Sequence, residues 1–125
     1  MPLITTPSAS AVIGCAIAVH KELGAGLFES VYQPCLAYEL RAAGLRFQEQ
    51  VIAPVKYRDV VLPRAFKIDF VVEEELIVEV KAVERVLEIH NAQVLTYMKL
   101  TGIRKALMFN FCVPVLKDGI RSFVR

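Results

Sequence analysis

Three charged residues lie inside two short apolar runs near the middle of the chain. They are Asp69, Glu79 and Lys81, within the stretch IDFVVEEELIVEVK. The runs are rich in Val, Ile and Phe and are joined by three glutamates, a pattern typical of a β-hairpin. A three-residue loop of these glutamates would pair Val72 with Leu76. The same register places Asp69 directly across from Glu79.

The alternation of side chains along a strand decides which of these groups meet. Successive side chains point to opposite faces, so Glu79 and Lys81 share one face of their strand. By the same alternation, Asp69 should face opposite to both Ile68 and Phe70.

Two facing carboxylates suggest a metal site. Like charges about 5 Å apart destabilise a hairpin unless a cation or a shared proton lies between them. A hard divalent ion, Mg²⁺ or Mn²⁺, is the natural partner of Asp69 and Glu79. Lys81 would then orient or help to deprotonate an attacking water, or stabilise charge on a phosphate. The alternative is an ordinary hairpin with weak ion pairs on an exposed face, because so short a pattern often arises by chance.

The periodicity of the whole chain predicts the element order ααβββαββ, an α/β (α+β) arrangement in a single domain of 125 residues. After a loose leader at 1–7, Ser8 or Ser10 would cap a first helix that ends near Leu23. That helix is apolar over much of its circumference, which predicts burial in the core or in a dimer contact. The other elements are expected as a helix at 28–43, a strand at 47–57, a strand at 66–72 with residues 60–62 leading into it, a strand at 76–81, a helix from 87 or 88 to 100, and strands at 105–112 and 120–124.

Individual residues refine these elements. Pro54 implies that the 47–57 strand lies at an edge or carries a bulge. Pro34 should kink the second helix or delay its regular part. On the third helix, Val94, Leu95 and Met98 are core candidates.

Composition bounds the class of protein. Hydrophobic residues make up 55% of the chain, which excludes general disorder. The longest apolar run, 11–19, is too short to span a bilayer. The three cysteines are scattered and lack metal-ligand spacing, which indicates reduced thiols and a cytoplasmic location.

Charge is unevenly distributed. Residues 1–88 hold 9 Lys and Arg against 12 Asp and Glu, whereas residues 89–125 hold 6 against 1. A basic C-terminal portion beside an acidic hairpin would suit a phosphate backbone held near a metal. An ordinary solvated surface is the alternative interpretation.

Two helical motifs accompany the hairpin. Residues 26–32 read GLFESVY, which places Glu29 and Tyr32 one turn apart. Taken alone, this pair is a glutamate favoured by the helix dipole and a packed tyrosine. On the third helix a polar stripe at i, i+3 and i+7, usually an exposed face, is formed by His90, Gln93 and Tyr97.

With these motifs in this order, the chain resembles the PD-(D/E)xK nuclease superfamily and, within it, the small GxxExxY proteins. The resemblance extends from about Ile13 onward and is carried by GLFESVY at 26–32, Asp69 with EVK at 79–81, and QVLTY at 93–97. The chain departs from the pattern at Ile68, where the superfamily name has proline.

The resemblance implies a restriction-endonuclease-like core, a mixed β-sheet flanked by helices. It further implies that Asp69 and Glu79 bind Mg²⁺ or Mn²⁺, that Glu29 assists the metal, and that Lys81 serves the water or the phosphate. Support of the site or contact with nucleic acid would fall to Gln93, Tyr97, Tyr32 and His90.

Two functions are therefore compared. The first is a metal-dependent nuclease acting on nucleic acid, DNA in preference to RNA, without a membrane partner. The second is a non-catalytic nucleic-acid-binding or assembly module that retains the nuclease fold. A homodimer through the N-terminal helix is compatible with either, and metal-dependent cleavage distinguishes the two.

Overall fold

The computed structural model of the chain describes residues 6–125. Its elements follow the predicted order ααβββαββ, with one 3₁₀-helix added before the last strand. Most of the leader predicted at 1–7 lies outside the described residues. The elements are α1 Pro7–Leu23, α2 Glu29–Ala42, β1 Phe47–Tyr57, β2 Val60–Val72, β3 Leu76–Lys81, α3 Glu88–Thr101, β4 Lys105–Asn110, the 3₁₀-helix Leu116–Gly119 and β5 Ile120–Val124.

The five strands form one mixed sheet in the order β1-β2-β3-β4-β5. Only β3 and β4 are parallel, and α3 connects them; all other neighbours are antiparallel. Helices α1 and α2 pack with one apolar cluster of the sheet, and α3 packs with a second. This α+β architecture is consistent with the restriction-endonuclease-like core that was predicted.

The hairpin at the centre of the sheet has the predicted register. Val72 pairs with Leu76, and the loop between them holds the left-handed residues Glu73 (φ 52°) and Glu74 (φ 58°). A carboxylate oxygen of Glu73 accepts a hydrogen bond from the backbone N–H of Arg46 at 2.7 Å. This bond ties the loop to the start of β1, and so the three-residue loop fixes the register on which the site depends.

The first helix differs from prediction at its start. Thr6, rather than Ser8 or Ser10, is the N-cap, and its hydroxyl accepts a hydrogen bond from the Ala9 N–H at 3.3 Å. Proline at the first helical position has no N–H that would need a hydrogen-bond partner, and this explains why the helix starts earlier. Of the two alternatives for the apolar stripe, the structure takes the core: Val12 and Ala16 are fully buried within the chain itself.

The proline predictions for β1 are confirmed. The strand is an edge of the sheet, and its register with β2 shifts between Ala53 and Val55, around Pro54. Pro34 lies within α2, and the helix continues past it to Ala42. The strand predicted at 105–112 ends at Asn110.

Two expectations about side-chain direction are wrong. Leu95 is 47% exposed and is not a core residue. Ile68 packs with the α3 cluster whereas Phe70 packs with the α1–α2 cluster, so they do not share a face. Opposite this point Gln50 has a positive φ of 51°, and the β1–β2 ribbon changes the face that it presents there.

Candidate active site

Asp69 and Glu79 stand across from each other where β2 and β3 separate. Regular pairing between the strands ends at Phe70 and Val78, one step before them. The Asp69 N–H donates to Glu79 Oε2 at 2.7 Å, and the Val80 N–H donates to Asp69 Oδ2 at 2.9 Å. Two carboxyl groups thus replace backbone rungs and hold each other in place.

Burial disfavours the negatively charged forms of this pair. Glu79 is only 3% exposed, and its burial, followed by the nearby charge of Asp69, raises its pKa to about 8. Burial also raises the pKa of Asp69. The positive charge of Lys81 offsets these shifts only in part, so the pair is further stabilised by a proton on Glu79 or by an added cation.

Lys81 lies at the end of β3, on the same side as Glu79. Its Nζ donates a hydrogen bond to Gln93 Oε1 on α3 at 2.9 Å. Tyr97, one turn further along α3, is 8% exposed and stacks on Phe66 with ring centroids 5.1 Å apart. Burial and then the negative charge of Glu79 raise the pKa of Tyr97, so its hydroxyl keeps its proton.

The 26–32 motif connects α2 to the end of β3. Glu29 is the first residue of α2, and its Oε2 accepts a hydrogen bond from the Ala82 N–H at 3.1 Å. Tyr32 is fully buried and donates its hydroxyl hydrogen to the Gly24 carbonyl oxygen at 2.6 Å. Its hydroxyl also accepts from the Leu27 N–H at 3.2 Å. Tyr32 therefore fixes the loop that leads into α2.

These groups surround an open cavity of about 460 Å³. Six of the eight predicted site residues line it, and Tyr32 and His90 do not. His90 instead accepts a hydrogen bond from the Leu87 N–H at 2.9 Å through Nδ1 and caps α3. The cavity is lined by Glu29, Gln33, Gln50, Lys67, Asp69, Glu79, Lys81, Gln93 and Tyr97.

Sequence reasoning missed three residues of this lining. Gln33 follows Glu29 by one helical turn, and Lys67 precedes Asp69 by two strand positions, so both spacings carried a signal. Gln50 had none. Its Nε2 donates to Gln33 Oε1 at 2.6 Å, and within residues 6–125 its buried Oε1 has no hydrogen-bond partner.

The oxygens present fit a hard divalent cation. Mg²⁺ is commonly held by one or two carboxylates together with water and substrate phosphate oxygens. Asp69 and Glu79 supply the carboxylates, and the unpartnered Gln50 Oε1 is a further acceptor on the same wall. In the described part of the chain no three Asp, Glu, His or Cys side chains form a group that could hold a metal. Glu29 lines the same cavity as Asp69 and Glu79.

The basic C-terminal portion does not gather at the cavity. Arg104 and Lys105, at the start of β4, lie beside the glutamate loop at 73–75. Since β4 runs parallel to β3 and Lys81 is level with Asn110, these cations are a strand length away from the cavity. None of the lysines and arginines at 89–125 lines the cavity, so the role of this basic portion in holding a phosphate stays a prediction.

Comparison with known proteins gives one result. A family model described as the PD-(D/E)XK nuclease superfamily matches residues 7–123. Neither the curated proteins nor the solved structures provide a match. Across residues 6–125, every helix is too short or too polar to cross a membrane.

Proposed function

We propose that this chain, which belongs to the PD-(D/E)XK nuclease superfamily, is a metal-dependent nuclease that hydrolyses phosphodiester bonds. The observation that carries the proposal is the Asp69–Glu79 pair, in which each carboxylate accepts from the other strand at 2.7 and 2.9 Å. A half-buried and a buried acid side by side favour either a proton on Glu79 or an added cation, and a divalent cation would satisfy both carboxylates. DNA is proposed as the substrate ahead of RNA.

The roles of the acids follow from their placement. Asp69 and Glu79 would hold Mg²⁺ or Mn²⁺, which when bound polarises a phosphate oxygen and lowers the pKa of a coordinated water. Glu29, held by the Ala82 N–H, positions the end of β3 against α2. Gln50 Oε1 would accept a hydrogen bond from water in the cavity.

Lys81 and Tyr97 act on the phosphate side. Lys81 carries a positive charge whose direction is fixed by Gln93 at 2.9 Å. It stabilises negative charge that develops on the phosphate as water oxygen bonds to phosphorus and the bond to the leaving sugar oxygen breaks. The Tyr97 hydroxyl, which stays protonated, is a neutral donor beside it.

A second candidate is the non-catalytic nucleic-acid-binding module. It is favoured by one observation: Glu29, Asp69 and Glu79 each already accept a hydrogen bond from a backbone N–H. In that case the carboxylates would only connect strands and helix, and metal would be dispensable.

Cleavage assays separate the candidates. Single- and double-stranded DNA and RNA would be incubated with the protein in Mg²⁺, Mn²⁺ or EDTA, alongside Asp69→Asn and the exposed-acid control Asp118→Asn. We expect metal-dependent cleavage that Asp69→Asn abolishes and Asp118→Asn retains. No cleavage of any substrate, with nucleic-acid binding intact, would favour the second candidate.

A further inference from the structure

The β1–β2 ribbon extends well beyond the rest of the sheet. β2 pairs with β3 only from Phe70 to Val72, so its preceding residues pair with β1 alone. We call this two-stranded extension, residues 52–67, the arm. From Val60 to Ala65 every residue of the arm is exposed. An extension with so little packing is not explained by the stability of the core.

The arm accounts for the net positive charge of the protein. The chain has 15 Lys and Arg and 13 Asp and Glu. The arm has four of the cations, Lys56, Arg58, Arg64 and Lys67, and one acid, Asp59, so the remaining chain is left with 11 cations against 12 acids. Within residues 6–125 the ion pairs are made by other arginines, and the arm's cations are available to a polyanion.

The arm begins at the cavity. Lys67 lines the cavity beside Asp69 and pairs with Ile52 at the base of the arm. A phosphate backbone that leaves the carboxylate pair therefore meets Lys67 first and then the cations further out. This continuity distinguishes the arm from the basic residues at the opposite end of the sheet.

The dimensions of the arm suit a duplex. On β1, Ile52 to Tyr57 spans five residue steps of about 3.3 Å each, so the arm is about 17 Å long. The major groove of B-DNA, about 12 Å wide, admits a two-stranded ribbon. Ala53 pairs with Phe66 and Val55 with Leu62, so three residues of β2 bulge opposite Pro54 and carry Arg64 outward from regular pairing.

We propose that the arm is a binding surface for double-stranded DNA, which places the arm against the duplex while the cavity holds the scissile strand. The proposal rests on the proposed function, because it extends the substrate path of that site. Lys56, Arg58 and Arg64 contact phosphates. Tyr57, which is 60% exposed with the Arg58 guanidinium 5.4 Å from its ring centroid, supplies an apolar contact near the tip.

A second copy of the chain is the other possible occupant. Val60, Val61 and Leu62 are exposed apolar residues on the arm. Two such arms meeting each other would bring two sets of uncompensated cations together, which opposes self-association. The charge therefore favours DNA.

The test compares two variants that remove the same charge. One is Lys56→Gln, Arg58→Gln, Arg64→Gln on the arm; the control is Lys21→Gln, Lys99→Gln, Lys117→Gln, three exposed lysines outside the cavity lining. Binding of a fluorescent DNA duplex is measured in EDTA over a salt series. Because each lost phosphate contact changes the slope of log K against log salt by about 0.9, we expect the arm variant to lose about 2 to 3 from the slope and the control to lose little.

The outcomes are distinct. Equal affinity and equal slope for the arm variant and wild type would overturn the inference, as would a wild type that binds no duplex. A wild-type dimer that Val61→Glu converts to monomer, with duplex binding unaffected by the arm variant, would assign the arm to self-association and also overturn it. If binding depends on the arm but no metal-dependent cleavage occurs, the inference about the arm stands and the proposed function fails. If cleavage occurs but binding does not depend on the arm, the proposed function stands and the inference about the arm fails.

Discussion

The carboxylate of Glu79 accepts a hydrogen bond from the backbone N–H of Asp69 at 2.7 Å, in the position where a strand-to-strand rung would otherwise form. The side chain of Asp69 does the same for the other strand. An acid pair, half-buried at Asp69 and buried at Glu79, is thereby built into the sheet itself rather than carried on a loop. We expect its charge state to control both stability and cation binding.

The stability of the metal-free protein should depend on Glu79. Its folded pKa of about 8 lies above the ordinary 4.5, so its stabilising contribution is complete below pH 4.5 and is lost as the pH rises towards 8. Glu79→Gln should remove this loss, up to about 1.4 kcal/mol per pH unit. Urea unfolding in EDTA from acidic to mildly alkaline pH measures it. Parallel pH profiles for wild type and variant would refute this electrostatic account.

Gln93 is a positioning residue for Lys81. Gln93→Ala removes the acceptor at 2.9 Å from Nζ, and the rate of cleavage should fall about ten- to a hundredfold because hydrogen bonds to charged groups contribute about 1.5–3 kcal/mol. The loss should appear in kcat rather than KM, since Lys81 is needed most in the transition state. Gln48→Ala, an exposed glutamine on β1, is the matched control. A change confined to KM would instead indicate a substrate-binding role.

Tyr32 should contribute to stability rather than to chemistry. Tyr32→Phe leaves the Gly24 carbonyl and the Leu27 N–H without their partner, which should cost about 1–3 kcal/mol in the free energy of unfolding. Tyr38→Phe, on the same helix but 69% exposed, should cost nearly nothing. Chemical denaturation of both variants makes the comparison. Equal stabilities would contradict the buried role.

Two glycines should respond oppositely to alanine. A Cβ at Gly119 would overlap the carbonyl oxygen of Asn110, whose side chain holds the backbone of Val83 just after β3. Gly119→Ala should therefore destabilise by about 1–3 kcal/mol. A Cβ at Gly14, inside α1, meets nothing within 4 Å, so Gly14→Ala should stabilise by about 0.5–1 kcal/mol. Thermal unfolding tests both, and a stabilised Gly119→Ala would be incompatible with the packing described.

The sequence predicts the hairpin well because its signals are local. Two short apolar runs joined by the three glutamates indicate a loop at 73–75, and the register that follows brings Asp69 to Glu79. Helical spacing likewise brings Gln93 and Tyr97 to one side of α3. The family match agrees with the order of motifs because they lie on successive elements.

The remaining features depend on contacts between distant segments. The change of face at Ile68 coincides with the left-handed Gln50 on the neighbouring strand, which no local pattern signals. The buried hydroxyl of Tyr32 depends on the path of the Gly24 loop. The charge count over residues 1–88 does not reveal the arm, because the four cations of the arm lie in this portion, which is acidic overall.

The central claim is that Asp69 and Glu79 together receive a divalent cation, and calorimetric titration with Mn²⁺ tests it without knowledge of the substrate. We predict that wild type binds Mn²⁺, that Asp69→Asn weakens binding at least about tenfold, and that Glu29→Gln, which leaves both proposed carboxylate ligands in place, retains most of it. Absence of binding by wild type, or equal affinity for wild type and Asp69→Asn, would contradict the account.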